Sequence, residues 1–247
     1  MWSLCFAVST ATILLAHTVN ASPRTASALE PRYAQGGDLN RLAKLMPQSA
    51  LAAPNGQLKY VVLGLGTQNY TCASGIAHDA PSAAGAVATL YDIGSKLSKD
   101  STAKLKISTI SGLILSLSTH TKAVNAALEL LGYSTVIGHH FFQSRDDISA
   151  PIFALDLLSE GPYPIADVLK IDAVDAPELA YPGPLGEGAV PWLYLRDIHN
   201  SSRGGINTVY RVETAGGKAP ETCANQDAAF TRPYAAQYWI FGSSTEP

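Results

Sequence analysis

The sequence has 247 residues and a net charge of −3, and only 15 % of it is Asp, Glu, Lys or Arg, against about 25 % in an average soluble protein. Its basic residues are scattered, so it lacks the concentrated Lys and Arg that nucleic acid or another polyanion demands. A chain this long can bury a sizeable core, and one domain is the default.

Trp2 to Ala16 carries no charge and is mostly apolar. It is shorter than the roughly 20 apolar residues that span a bilayer, and it is followed by the small or modest residues Val19-Asn20-Ala21. This pattern predicts a secretory signal peptide over 1–21, with a membrane anchor or a buried N-terminal helix as alternatives. Cleavage at Ala21 leaves 247 − 21 = 226 residues. The nearest later apolar run, Lys106 to Ser118, is short and rich in hydroxyls. The expectation is a secreted protein, extracellular or in the cell wall, with no membrane partner once the signal is removed.

Residues 22–53 read as an N-terminal extension, rich in Ser, Ala, Pro, Gly and Gln, with one short helix from Asp38 to Met46 that Pro47 stops. Residues 54–247 read as a single β-rich domain. Lys59–Cys72 has Tyr, Val and Thr in alternation, the texture of a strand. Ala86–Tyr91 is a second strand. An insertion at about 95–132 holds the one long helical signal: in His120–Leu131 the residues Val124, Ala127, Leu128 and Leu131 form one stripe, and Gly132 follows as a cap. Thr102–Leu117 fits helix or strand equally well. Strand texture then returns at 134–142, 151–155, 168–174, 190–196, 205–214 and 234–241. Many short strands with frequent turns predict a mainly β fold, an antiparallel β-sandwich or barrel with a helical insertion.

Cys5 leaves with the signal, so Cys72 and Cys223 remain. In an oxidising compartment they most simply form one disulfide; two free buried thiols are the alternative. Asn69-Tyr-Thr and Asn200-Ser-Ser are glycosylation acceptor sequences, which places Asn69 and Asn200 at the surface if they are used.

Gly64-Leu-Gly-Thr-Gln-Asn69 begins like a dinucleotide-binding turn. That fingerprint needs a third glycine, where Asn69 stands, and a helix N-terminus directly after it to receive the phosphates. The residues that follow are β-like. Glycines that ease a twisted strand or bulge explain the stretch better. No His-Glu-x-x-His and no clustered His, Cys and Asp set at metal spacing occurs, and Gly-x-Ser-x-Gly is absent. The sequence therefore predicts no metal and no cofactor.

The blocks KYVVLGLGTQNYTC (59–72), AVATLYD (86–92), GHHFF (138–142), AVPWLYLR (189–196), GGINTVYRVETAGGKAPETC (204–223) and RPYAAQYWIF (232–241) resemble the signature blocks of the family called domain of unknown function 3455. They run in family order across most of 54–242. The resemblance implies a secreted or periplasmic, β-rich protein of fungal or bacterial type, with no activity established for the family. Some fungal members carry a malate dehydrogenase label, which the residues at 64–69 do not support. The 95–132 region departs from the compact bacterial pattern and resembles a fungal-type insertion.

Three residues are candidates for acid–base chemistry. On a strand, Asn207, Val209, Arg211 and Glu213 share one face and Ile206, Thr208, Tyr210 and Val212 the other. Arg211 beside Glu213 would lower its pKa; the alternative is a half-buried structural ion pair. His139 and His140 point to opposite faces of a strand and cannot easily share a metal. His140 stands where the family pattern has its histidine. Glu187 and Glu213 are the remaining carboxylates considered. Among the strand aromatics and their neighbours, Trp192, Tyr194, Asn207, Gln237 and Trp239 are candidates to line a ligand face, and a buried core is the alternative for each aromatic. Two readings of function compete with a structural or partner-contacting exterior protein. One is a secreted protein, leaning non-enzymatic, that binds cell-wall carbohydrate or a small molecule. The other is a hydrolase or lyase with its site around Glu213, Arg211 and His140.

Overall fold

The computed structural model describes residues 36–145, 148–159 and 161–243. The expected signal peptide, residues 22–35 of the extension and the Asp146-Asp147 pair lie outside them. In chain order the elements are α1 (Gly36–Ala43), β1 (Gln57–Thr71), β2 (Ser82–Asp92), α2 (Gly94–Leu97), α3 (Ala103–Ser116), α4 (Thr121–Leu131), β3 (Val136–Arg145), β4 (Ile148–Ala154), β5 (Ile165–Asp167), β6 (Leu169–Val174), β7 (Trp192–Arg196), β8 (Ile206–Gly216) and β9 (Ala229–Gly242).

The strands form one antiparallel sheet in the order β5-β4-β3-β2-β1-β9-β8-β7-β6. Read as a ring, this is simple sequence order, with β9 returning to β1. The two ends of the sheet, β5 and β6, are consecutive pieces of one stretch that bends at Val168, whose N–H donates to the Pro151 carbonyl at 3.3 Å. The sheet thus curls into a nearly closed up-and-down barrel with 9 − 1 = 8 walls. Closure is incomplete on one side. β5 pairs with β4 only over Ile152–Ala154, and β6 pairs with β7. Among the described residues, Ile148–Ala150 of β4 and Lys170–Val174 of β6 therefore have no ladder partner on the side where they should meet. A seam runs from Val168 to the barrel end at which β1 and β8 finish and β9 begins, called the upper end below.

Alternation along the strands splits the core in two. Val62, Leu90, Phe153, Leu195, Val209 and Ile240 point inward and fill the lower barrel. Leu58, Val61, Leu63, Tyr210, Val212, Trp239 and Phe241 point outward, and the helices cover them. The ambiguity of 102–117 resolves as helix α3, because Ile107, Ile110, Ile114 and Leu115 face the sheet while Leu105 and Leu113 stay exposed. Apolar residues on both sides blurred the helical period. The α4 signal was clean: Gly132 ends the helix at φ 75°, a conformation open to glycine. β5 is three residues long and left no periodic trace.

GLGTQN lies in the middle of β1, and its glycines serve close approach. A Cβ on Gly64 would come within 2.5 Å of the Tyr238 ring, and one on Gly66 within 1.9 Å of the Val87 carbonyl oxygen. Cys72 and Cys223 form a disulfide with their Cα atoms 5.8 Å apart. It ties the end of β1 to the β8–β9 loop, 151 positions away.

Two outcomes follow. Replacing both cysteines by serine lowers stability by up to about 5 kcal/mol, the chain-entropy value for so long a loop, measured by urea unfolding. Gly66→Ala costs about 1–3 kcal/mol through overpacking against backbone that cannot yield, whereas an alanine at exposed Gly75, where a Cβ meets nothing within 4 Å, costs less despite its positive φ.

Candidate functional site

The inner face of the barrel is largely apolar and carries one cluster of polar groups, around Tyr234 and Tyr238, which reaches toward the upper end. From β9 come Arg232, Tyr234 and Tyr238, from β1 Gln68, from β3 His140 and from β8 Arg211. Register fixes them as neighbours: Gly66 is opposite Tyr234, Gln68 opposite Arg232, and Arg211 opposite Tyr238. Gly64 leaves room for the Tyr238 ring, and Gly66 for the backbone of β2. Tyr234 and Tyr238 are fully buried, with their hydroxyls 2.9 Å apart.

His140 is buried and stacked on Phe153, with ring centroids 4.2 Å apart. Its Nδ1 lies 2.8 Å from the Ile152 carbonyl. A carbonyl only accepts, so Nδ1 carries the proton and Nε2 is the basic nitrogen. Burial pushes this imidazole down to about 4; the Ile152 bond pulls part of the shift back, and the Arg211 guanidinium adds to it. His140 is neutral near pH 7.

Arg211 donates from Nε and Nη2 to the Pro191 carbonyl at 3.1 and 2.8 Å. Its charge also reaches the hydroxyls around it. Burial raises the pKa of Tyr70, Tyr234 and Tyr238, and in each the guanidinium offsets part of the rise. Among the described residues no carboxylate forms an ion pair with Arg211. The second arginine differs: Arg232 is paired with Glu187, donates to Gln226 Oε1 at 2.7 Å and lies 4.5 Å above the Phe230 ring. These groups border a shallow rim depression of about 10 Å³, lined by Pro182, Leu185, Glu187, Gly217 and Arg232 among others. Tyr70 closes the same rim by donating to the Gly217 carbonyl at 2.7 Å.

Glu213 departs from the strand reading. A bulge lies between Val212 and Ala215, and Glu213 has φ 48°, a left-handed conformation rare for a side-chain-bearing residue. The alternation that would seat it beside Arg211 is broken. Burial alone raises its carboxyl to about 7. The direction is opposite to that expected from a neighbouring guanidinium, and the expected ion pair is not formed.

The proposed ligand face divides. Gln237 and Trp239 are fully buried under α3: the Gln237 amide donates to the Ile107 carbonyl and accepts from Trp239 Nε1 at 3.3 Å. Trp192 is buried in the same outer core. Tyr194 is half-buried and stacks on Tyr210 at 5.1 Å, and Asn207 is exposed. These five form no common surface. Gln68, Tyr234 and Tyr238 were missed as a site because strand period gives a face but not whether that face lines a barrel. Asn69 is half-buried in β1, where it accepts from Thr67 at 3.3 Å, and Asn200 is exposed with φ 54°. Among the described residues no cluster of three His, Cys, Asp or Glu could hold a metal.

The model of the family described as protein of unknown function DUF3455 matches residues 52–242. The chain belongs to DUF3455. No curated protein and no solved structure matches it. The polar upper end lies wholly within the DUF3455 region. In this DUF3455 protein no helix among the described residues is long and apolar enough to cross a membrane.

The two titrating groups act oppositely on stability. Between about pH 6.5 and 4 the unfolded chain takes up a proton that native His140 refuses, so acidification costs stability. The shift to about 4 corresponds to at most roughly 3 kcal/mol. His140→Gln flattens this acid limb in urea titrations at pH 7 and 4.5; an unchanged limb would contradict the buried neutral imidazole. Glu213, raised to about 7, favours the native state below pH 4.5 and loses that contribution as pH rises to about 7. Glu213→Gln is therefore more stable than the parent at pH 8 and equal to it at pH 4.5.

Proposed function

We propose that this DUF3455 protein is a secreted, non-enzymatic binding protein that holds a small polar ligand inside the upper half of its barrel. The observation that carries this reading is the cluster of polar groups around Tyr234 and Tyr238 on an otherwise apolar inner face, in a barrel with an open seam. An eight-walled barrel is wide enough either to be filled by side chains or to hold one small ligand. Here Phe142, adjoining His140 at the upper inner face, is 37 % exposed. Secretion is supported by the N-terminal sequence and the disulfide, since such bonds persist in oxidising compartments. Exposed Asn200 is the better placed of the two acceptors for a glycan.

Binding of a wall polysaccharide along a sheet face is less well supported, because Trp192, Gln237 and Trp239 are covered. The hydrolase or lyase reading needs Glu213 to act with Arg211 and His140. The bulge between Val212 and Ala215 turns Glu213 away from regular strand geometry, and it forms no ion pair with Arg211.

A thermal-shift panel of small organic acids, wall oligosaccharides, divalent metals and NAD(H) tests the reading. A ligand at a hundred times its Kd contributes about 2.7 kcal/mol, which raises Tm by about 5 to 10 °C in a domain of this size. The expected result is a rise with a small polar compound that perturbs the Tyr234 and Tyr238 ring signals in a protein carrying 13C-tyrosine. A rise with oligosaccharide that perturbs Tyr194 instead, or with NAD(H) alone, would contradict the proposal.

A further inference from the structure

We infer that the ligand of the upper barrel is a small carboxylate on a planar apolar body, anchored by Arg211 with Gln68 as a second donor. The inference rests on the binding reading above and gives the site its chemistry. Two observations point to an acceptor that the protein itself does not supply. Arg211 brings a positive charge to the inner face without a carboxylate partner among the described residues; it is bonded only to neutral oxygens, the Pro191 carbonyl and the Tyr238 hydroxyl. The side-chain nitrogen of Gln68 is buried and has no hydrogen-bond partner within normal geometry, although it faces the Tyr234 hydroxyl. An orphaned buried donor and an unpaired charge in a barrel are each costly. Both are relieved by one anion.

Among the described residues, the groups around Arg211 add no negative charge. Tyr234 and Tyr238 keep their protons and His140 is neutral, so these inner groups add donors but no counter-ion. Glu187 is engaged by Arg232. The planar guanidinium fork matches a carboxylate in two-point contact better than it matches a point charge. The walls next to it are ring faces: His140 stacks on Phe153, and Phe142 and Tyr238 tilt against His140 at 5.5 Å. A flat apolar body behind the carboxylate suits these faces better than a bare oxyanion such as phosphate.

The test uses the full protein with benzoate, its neutral isostere benzamide and inorganic phosphate, read by calorimetry and by the tyrosine ring signals. Benzoate is expected to bind at least about tenfold tighter than benzamide and to perturb Tyr234 and Tyr238. Arg211→Gln, which keeps a donor for Pro191, loses about tenfold or more of the benzoate affinity and leaves benzamide unchanged, the loss expected when a bond to a charged group is removed. Gln68→Leu weakens benzoate severalfold, and without ligand its Tm stays at or above that of the parent, because it deletes an unsatisfied donor. Equal affinity for benzoate and benzamide at the tyrosines would overturn the anion inference while leaving the binding reading intact. Phosphate binding without benzoate binding would overturn the planar body. Failure of all three probes to perturb the tyrosines would overturn the inference outright, and the broader panel then decides the binding reading by itself. A Gln68→Leu protein that melts several degrees lower without ligand would show the amide to be structural and remove the second donor.

Discussion

Strands β1 and β9 pair from Gln57 opposite Gly242 to Thr71 opposite Ala229, and the rest of the molecule hangs on this ladder. It joins the first strand of the domain to the last, which turns a meander into a barrel. It also sorts β9 side chains onto two sides of one wall. Tyr234, Ala236, Tyr238 and Ile240 enter the barrel, while Ala235, Gln237, Trp239 and Phe241 meet the helices. Such a contact is far apart in sequence and entropically slow to form. The Cys72–Cys223 bond lies at the end of the same ladder, where it limits the freedom of both strands in the unfolded chain. Gly64 and Gly66 let the ladder coil tightly against β2 and the Tyr238 ring.

The seam is the second consequence of closure. One stretch of chain supplies both β5 and β6, and the bend at Val168 divides its edges between β4 and β7. Below the bend the wall is continuous and the interior apolar. Above it the edges part toward the rim of Gln68 and Arg232, while His140, opposite Phe153, and Tyr238, opposite Val62, pack among the apolar residues of the barrel. Tyr234, Tyr238 and His140 are buried, and their polar atoms are matched by one another or by backbone.

Charge in the upper end is arranged in two different ways. Arg232 is neutralised by Glu187, held by Gln226 and covered by Phe230, as a structural cation is. Arg211 is surrounded by neutral oxygen and ring groups. Glu213, only two positions away in sequence, is diverted by a bulge and titrates under burial alone. Bulges re-aim side chains where a regular strand would pair them, and this one separates the acid from the cation.

Several features were determined by the sequence itself. The alternation in 59–72 and 234–241 marked strands, the stripe and terminal glycine of 120–132 marked a helix, and the signature blocks marked DUF3455. The cysteines could be paired because two remain after the predicted signal. These signals are local or a matter of counting. The tertiary structure alone decided which strand face is inside, because a period of two is the same for a sandwich, a barrel interior or a solvated sheet. It placed Trp192 in the outer core and Gln237 and Trp239 under α3 instead of on a surface, since burial depends on what packs from elsewhere in the chain. It also brought Gln68, Tyr234, Tyr238, His140 and Arg211 together on the inner face. Residues from four strands converge only once β9 has returned to β1.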